Sequence, residues 1–414
     1  MSSIAQMTRI ILFAALFISI PVKAEQPSAI KQQAAQKESP ESYGNVGVAY
    51  YNKGDYDKAI EAFTIGIRIY PRYARAYLDR GTAYGQKGRY NEAIADYSKA
   101  IEINPKYSEA FNSRGLTYAN KHEFDKAIAD YSRAIVISTG SAAAFFGRGL
   151  AYVHKGRLDK AIGDFSKVIA INPMYVEAYY WRGHIYDDNG EYDKAIKDYS
   201  KAIADHTADA ADCYLGRGLA YHHKSDYAKA LEDYSKAIMF NPQLAMAYNN
   251  RGGVYSDMKE SDKAIKDFTK AIEIDPKYPS GYLNRGISYA SEKGDYSKAI
   301  NDFTEAIRLD PEFESAYYSR GLSFLNKGDI AEGIEDLSKA IALAPKKADA
   351  YYSRGQGYKE LGEYLKAIKD FSAAIEIAPK HVMAYRARAT AYSKIGENAK
   401  AAADEKRWQN LRKK

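Results

Sequence analysis

One cysteine, Cys213, stands in 414 residues, so no disulfide can form within the chain in any compartment. Histidine is nearly as scarce, with seven copies, and tryptophan has two. Proline at 12 and glycine at 29 stay near average, which excludes collagen-like and disordered compositions. Charge of one sign is also lacking. Sixty Lys and Arg against 53 Asp and Glu leave +7, no strong argument for nucleic acid. Beyond the N-terminus no apolar run is long enough to cross a bilayer. What abounds is tyrosine, with 38 copies.

The chain begins MSSIAQMTRIILFAALFISIPVKAEQ. Arg9 precedes an apolar run from Ile10 to Ile20, then Pro21 and the small-residue pattern Val22-Lys23-Ala24. This is the layout of a secretory signal peptide, residues 1–24, cleaved after Ala24. An uncleaved membrane anchor is the alternative. Removal of Arg9 and Lys23 leaves the mature chain at +5. No cysteine follows the run, so a bacterial lipid anchor is excluded. Residues 25–39, EQPSAIKQQAAQKES, read as a flexible polar leader. The chain is expected to be exported: periplasmic if the source is bacterial, with outer-membrane association as a variant of that placement.

From Pro40 the sequence repeats with a period of 34 residues. AYLDRGTAYGQKGRYNEAIADYSKAIEINPKY, from Ala76, returns as AFNSRGLTYANKHEFDKAIADYSRAIVIS from Ala110 and as AYYWRGHIYDDNGEYDKAIKDYSKAI from Ala178. Eleven units begin at 40, 74, 108, 142, 176, 211, 245, 279, 314, 348 and 382. Extra residues enter near Asp209–Ala210 and near Lys293. Within the second unit, Tyr77, Gly81, Ala83 and Tyr84, then Tyr90, Ala93, Ile94, Tyr97, Ala100 and Ile101, recur at spacings of three and four. That is a helix period. Gly88 stops the first helix and Pro105 follows the second. No stretch alternates as a strand does.

An aromatic, Gly, Tyr, Ala, an aromatic and Pro at fixed offsets (Tyr77, Gly81, Tyr84, Ala93, Tyr97, Pro105) make residues 40–414 resemble the tetratricopeptide repeat, in the form found in exported bacterial proteins. Departures are local. Thr139 and Thr207 replace Pro, Gly333 replaces a packing Ala, and Ala389 replaces Gly. The resemblance implies an all-α, right-handed superhelical solenoid of about eleven helix–turn–helix repeats with a concave groove. The last unit, ending NAKAAADEKRWQNLRKK, has the polar surface of a C-terminal cap.

The seventh position of ten units is arginine: Arg80, Arg114, Arg148, Arg182, Arg217, Arg251, Arg285, Arg320, Arg354 and Arg388. It falls within the buried arc of the first helix, where an unpaired charge costs several kcal/mol, roughly. Position 23 supplies aspartates from Asp96 to Asp370, which predicts a ladder of Arg–Asp pairs. The first unit has Val46 and Ala62 instead. In the last unit this reading puts Ala403 at the aspartate position, making Arg388 a candidate to bridge to a neighbour. Matched aspartates and a core location argue against anion binding by this set. Lysines of the second helix, such as Lys99 and Lys270, alternate with acids and read as a solvated convex face.

Positions 2, 5, 6, 9, 12 and 13 lie opposite the buried arc, the side that lines the groove in the resembled family. Here the copies differ. Positions 5 and 9 give an apolar strip of Leu78, Leu116, Phe146, Leu150, Tyr180, Leu215, Leu219, Leu283, Ile287, Tyr318, Leu322 and Tyr352, and Trp181 adds position 6. Arg386 is the one cation at position 5. Such a surface is expected to meet a partner. Beside it run His154, His184, Asp187, Asp188, His222, His223 and Asp257, while Asn45, Asn112, Asn249, Asn250 and Asn284 offer hydrogen bonds to a peptide backbone.

Equivalent residues on packed helices sit ~8–10 Å apart, whereas zinc ligands lie ~2 Å from one ion, which weighs against a metal site. No nucleophile–His–acid set stands on a supporting turn motif, and no Gly-rich loop follows a strand. The sequence therefore predicts a non-enzymatic scaffold or adaptor with no cofactor, holding an extended peptide or partner helix in its groove, in cell-envelope assembly. Alternatives are a periplasmic metal or small-ligand binding protein using the His/Asp strip, and an outer-membrane receptor or attachment protein.

Overall fold

The computed structural model describes residues 39–204 and 210–412. The expected signal peptide and all but the last residue of the leader lie outside that range, as do His206 and Thr207. Among the described residues the structure is entirely helical, with 22 helices that pair into eleven hairpins, as the period demands. The chain divides into two compact units, Met1–Gly216 and Arg217–Lys414.

The first unit holds α1 (Pro40–Asn52), α2 (Tyr56–Ile69), α3 (Ala74–Gln86), α4 (Tyr90–Ile103), α5 (Ser108–Asn120), α6 (Phe124–Ile137), α7 (Ala142–His154), α8 (Leu158–Ile171), α9 (Val176–Asp188), α10 (Tyr192–Ala204) and the start of α11 (Ala210–His223). The second completes α11 and adds α12 (Tyr227–Phe240), α13 (Ala245–Asp257), α14 (Ser261–Ile274), α15 (Pro279–Lys293), α16 (Tyr296–Leu309), α17 (Glu314–Lys327), α18 (Ile330–Leu343), α19 (Ala348–Glu360), α20 (Tyr364–Ile377), α21 (Val382–Lys394) and α22 (Asn398–Arg412). Within each unit, helices neighbouring in sequence pack together, and first helices also touch the first helices of adjoining hairpins, as α3 touches α5.

Each hairpin turns at its fifteenth position, or its sixteenth where the extra residue near Lys293 enters, in a left-handed conformation. Gly54, Gly88, Gly156, Gly190, Gly294, Gly328, Gly362 and Gly396 occupy it with φ between 64° and 97°. His122, Ser225 and Lys259 hold the same place at φ 59°, 59° and 60°, where a Cβ is strained. A second glycine requirement lies inside the hairpin. A Cβ at Gly81 would stand 2.8 Å from the Tyr97 ring, and one at Gly355 would stand 2.7 Å from Phe371. The two helices approach that closely because the aromatic is packed flat against bare backbone. The local departures now have partners. Ala389 fits because its hairpin carries Glu405 where the aromatic would be. Gly333 fits because Leu325 fills its space, 2.7 Å from where a Cβ would be.

The predicted ladder exists, and every pair closes within one hairpin. Nε and Nη2 of Arg80 donate to the two carboxylate oxygens of Asp96 at 2.8 and 2.7 Å. The same fork joins Arg114 to Asp130, Arg148 to Asp164, Arg182 to Asp198, Arg217 to Asp233, Arg251 to Asp267, Arg285 to Asp302, Arg320 to Asp336 and Arg354 to Asp370. Arg388 is no exception. It binds Asp404 at 2.7 and 2.8 Å, so the aspartate position is one residue beyond Ala403 and the expected bridging partner is not needed.

Bridging enters through the third nitrogen instead. Nη1 of Arg114 donates to Ser98 Oγ at 2.9 Å in the preceding hairpin, and Arg80 reaches Thr64 at 3.0 Å in the same way. The hydroxyl spends its own proton on a carbonyl one turn back, Ile94 O for Ser98, leaving its lone pairs for the guanidinium. Tyr77 and Tyr84 place their rings 5.8 and 5.9 Å from the Arg80 guanidinium. The hydrogen bond to Asp96 is the main reason the Arg80 pKa rises above its ordinary value. Every polar atom of the motif is satisfied, the condition under which a buried pair is tolerated. In the first described hairpin, Val46 and Ala62 fill the same space as a buried apolar pair.

Candidate partner-binding surface

The expected apolar strip is only partly a surface. Leu78, Phe146, Tyr180, Leu215 and Leu283 are buried, so position 5 belongs mainly to the interior. Phe146 shows the reason. Its ring packs 5.6 Å from Phe165 in its own hairpin and 5.0 Å from Tyr175, which opens the next. Trp181 is also interior, 2% exposed, against the expectation that it faces a partner.

Leu116, Leu150, Leu219, Tyr318, Leu322 and Tyr352 remain half-buried, and Ile287 is exposed. Other first-helix side chains are accessible too, among them the half-buried Ala143 and Ser319. Tyr318 and Tyr352 are tied down by neighbours. Lys347 Nζ lies 4.1 Å from the Tyr318 ring centre, and Gln356 Nε2 donates to Tyr352 Oη at 3.0 Å.

The His/Asp strip separates into distinct environments. His154 stacks on Phe124 with ring centres 4.4 Å apart, and burial lowers its pKa, helped by the nearby His122. His184 and Asp187 are buried, while Asp188 is exposed with a carboxylate oxygen 3.9 Å from His184 Nδ1. In the second unit, the adjacent His222 and His223 part company. His222 Nε2 meets Asp257 Oδ2 of the next hairpin at 2.7 Å and sets its ring edge-on to Tyr227, whereas His223 is exposed. Cys213 is buried. Among the described residues no three His, Cys, Asp or Glu side chains are grouped so as to hold a metal ion.

Asparagines join in the second unit, where Asn284 Nδ2 donates to Asn249 Oδ1 at 2.9 Å and Asn249 Nδ2 donates to Asn250 Oδ1 at 3.3 Å. Asn249 is buried, while Asn250 and Asn284 are half-buried. Asn45 is exposed, and the Asn112 Oδ1 atom is buried without a hydrogen bond.

Two clusters escape the sequence reading. Asp79, 9% exposed on α3, accepts from Arg75 Nε at 2.8 and 3.0 Å, and Glu109 of α5 lies 3.8 Å from the same guanidinium. Burial pushes the Asp79 carboxyl up to about 6 even though Arg75 opposes it. The i, i+4 spacing of Arg75 and Asp79 is the signal that could have found this pair. On the last hairpin, the Arg386 and Arg412 guanidiniums lie 5.0 and 4.9 Å from the Trp408 ring centre.

Hairpins stacked through a repeated buried arginine fork, each with a variable outer face on its first helix, define a helical repeat protein. Models described as tetratricopeptide repeat match residues 40–73, 180–245, 245–278, 268–301, 314–347 and 348–381, and one described as TPR repeat matches 81–122, 149–190 and 292–328. The chain belongs to the tetratricopeptide repeat family. Among solved structures it is similar to yeast Tom70, at 17% identity over 90% of this chain and 92% of that one, TM-score 0.43. A tetratricopeptide repeat protein from Parabacteroides merdae is 19% identical over 61% of this chain and 98% of that one, TM-score 0.49. MamA is 32% identical over 40% of this chain and 96% of that one, TM-score 0.37. No curated protein matches the sequence. No helix among the described residues is long and apolar enough to cross a membrane.

Proposed function

We propose that this chain is a non-enzymatic scaffold that holds an extended peptide or a partner helix along the first-helix faces of its hairpins, and that it is exported and serves in cell-envelope assembly. Tetratricopeptide solenoids typically mediate protein–protein interactions, and their members are generally non-catalytic. The observation that carries the reading here is the contrast between positions. The residues that build each hairpin recur almost unchanged, while positions 6 and 9 differ between copies, with Asn250 and Ser319 at the one and Leu150, Ile287 and Thr390 at the other, and these side chains stay accessible. A side chain that the stack does not need, and that differs from copy to copy, is free to specify a partner. Export rests on the pattern of residues 1–24.

A photo-crosslinking amino acid placed at Leu116, Leu150 or Leu322 is expected to capture a discrete partner in cells, and the same probe at Lys99 or Lys270 on the second helices is expected to capture none. Equal capture from both faces overturns the assignment of the surface. Intact mass of the chain recovered from an extracytoplasmic fraction is expected to begin at Glu25, and an unprocessed cytoplasmic chain refutes export.

A further inference from the structure

The charge of the chain is unevenly placed. The last hairpin, residues 382–414, carries nine Lys and Arg against three Asp and Glu, a net +6. The remaining 51 basic and 50 acidic residues leave +1 for all the rest. Elsewhere most cations are matched, with exceptions such as Arg68, Arg133 and Lys167. Ladder arginines hold aspartates, and lysines such as Lys126 and Lys298 hold acids three residues back. In the last hairpin Arg388 and Lys400 follow that rule, through Asp404 and Glu397. Arg386, Lys394, Lys406, Arg407 and Arg412 are exposed, and none of them has an ion-pair partner among the described residues.

Two of these gather at one ring. Arg386 and Arg412 both approach Trp408, which is half-buried and stands where the other second helices have a small or aliphatic residue. Two like charges at one indole repel each other, and the ring offsets this only in part. An anion resolves the conflict, and guanidiniums bind carboxylates through paired N–H donors. Arg386 occupies position 5 of α21. The neighbouring first helix, α19, places Tyr352 close enough to feel its charge. Beside Tyr352, Gln356 Nε2 donates to the Tyr352 hydroxyl, and its Oε1 is buried. The last hairpin thus offers two exposed, unpaired guanidiniums at one ring, which match a chain that carries carboxylates.

We propose that the last hairpin binds an acidic segment of a partner peptide, whose carboxylates meet Arg386 and Arg412 beside Trp408. This rests on the scaffold reading above and names the chemistry of one part of the partner. Nucleic acid fits less well, because the two preceding hairpins each carry five basic and five acidic residues, which confines the patch to a single repeat. An anionic membrane fits less well too. The exposed side chains of α22 are all alanine, asparagine, glutamine, lysine or arginine, with no large apolar group to insert.

The test uses the full chain and a fluorescent oligoglutamate peptide, read by anisotropy at two ionic strengths. Binding is expected, weaker at high salt, and reduced by about tenfold or more in an R386Q/R412Q variant. A K99Q/K270Q variant, with the same charge loss on second helices, is expected to stay within about twofold of the parent. Peptide should also change tryptophan emission, and Trp408→Phe should abolish that change. Equal affinity of the arginine variant and the parent overturns the proposal. So does tighter binding of a DNA duplex or of phosphatidylglycerol vesicles through the same arginines. Because the crosslinking test reads Leu116, Leu150 and Leu322, the scaffold reading can survive failure here, and its own failure would leave oligoglutamate binding intact.

Discussion

Arg114 reaches backward to Ser98, 2.9 Å across the junction between two hairpins, while its other two donors hold Asp130 in its own. One side chain therefore closes a hairpin and seats it on its predecessor. Asp130→Ala leaves an unmatched guanidinium and is expected to cost roughly 3–5 kcal/mol. Ser98→Ala removes one charge-assisted bond and should cost about 1–2 kcal/mol. Denaturant unfolding with hydrogen exchange on α4 to α6 measures both. The serine variant should loosen the junction while leaving each hairpin protected.

Replacing the strained residues at the turns is predicted to stabilise. His122→Gly, Ser225→Gly and Lys259→Gly each remove a Cβ from a left-handed conformation near φ 60°. Relief of about 1–2 kcal/mol is opposed by the extra freedom of glycine in the unfolded chain, for a net gain of about 0.5–1 kcal/mol. Thermal melts of the single and triple variants check the sign and the additivity.

Glycine inside the hairpin behaves in the opposite way. Gly355→Ala drives a methyl to 2.7 Å from Phe371 and is expected to cost about 1–3 kcal/mol through overpacking. Ala389→Gly, in the hairpin that carries Glu405, meets no such ring and should lose about 1 kcal/mol or less, from helix propensity.

Asp79 predicts a pH dependence with a definite sign. Its folded pKa, about 6, is raised above the ordinary 3.8, so it favours the folded state when protonated. That contribution is fully present below pH 3.8 and is lost as pH rises through 6, to a total of roughly 3 kcal/mol. Asp79→Asn should remove this slope and be more stable than the parent at pH 7. Chemical unfolding between pH 4 and pH 7 measures it, and a steeper slope in the variant contradicts the assignment.

The fold was legible because the period, the caps and the apolar spacing all point one way. Arg–Asp pairing was legible too, since ten half-buried cations inside the stack need ten acids, although the last of them sits at Asp404 and not one residue earlier. The outer face was read less well. Wheel arithmetic treats each helix alone, whereas a first helix in a stack is covered on both flanks by its neighbours. The free arc is therefore narrower than the wheel implies. Phe146, Tyr180 and Trp181 fell inside for this reason. The serine and threonine acceptors looked like ordinary surface hydroxyls, and only the packed structure shows which guanidinium faces them.

The backward-reaching arginine gives the array a grammar. Thr64 ends the first hairpin with an acceptor but no arginine precedes it, whereas the last hairpin supplies Arg388 yet has Lys406 where a hydroxyl would receive the next copy. Interior hairpins are complete words, each able to follow or precede any other. The first and last hairpins each lack one part of that set. A copy inserted between two interior hairpins of one unit is therefore expected to need all three residues, the arginine, its aspartate and the hydroxyl, to seat both of its neighbours.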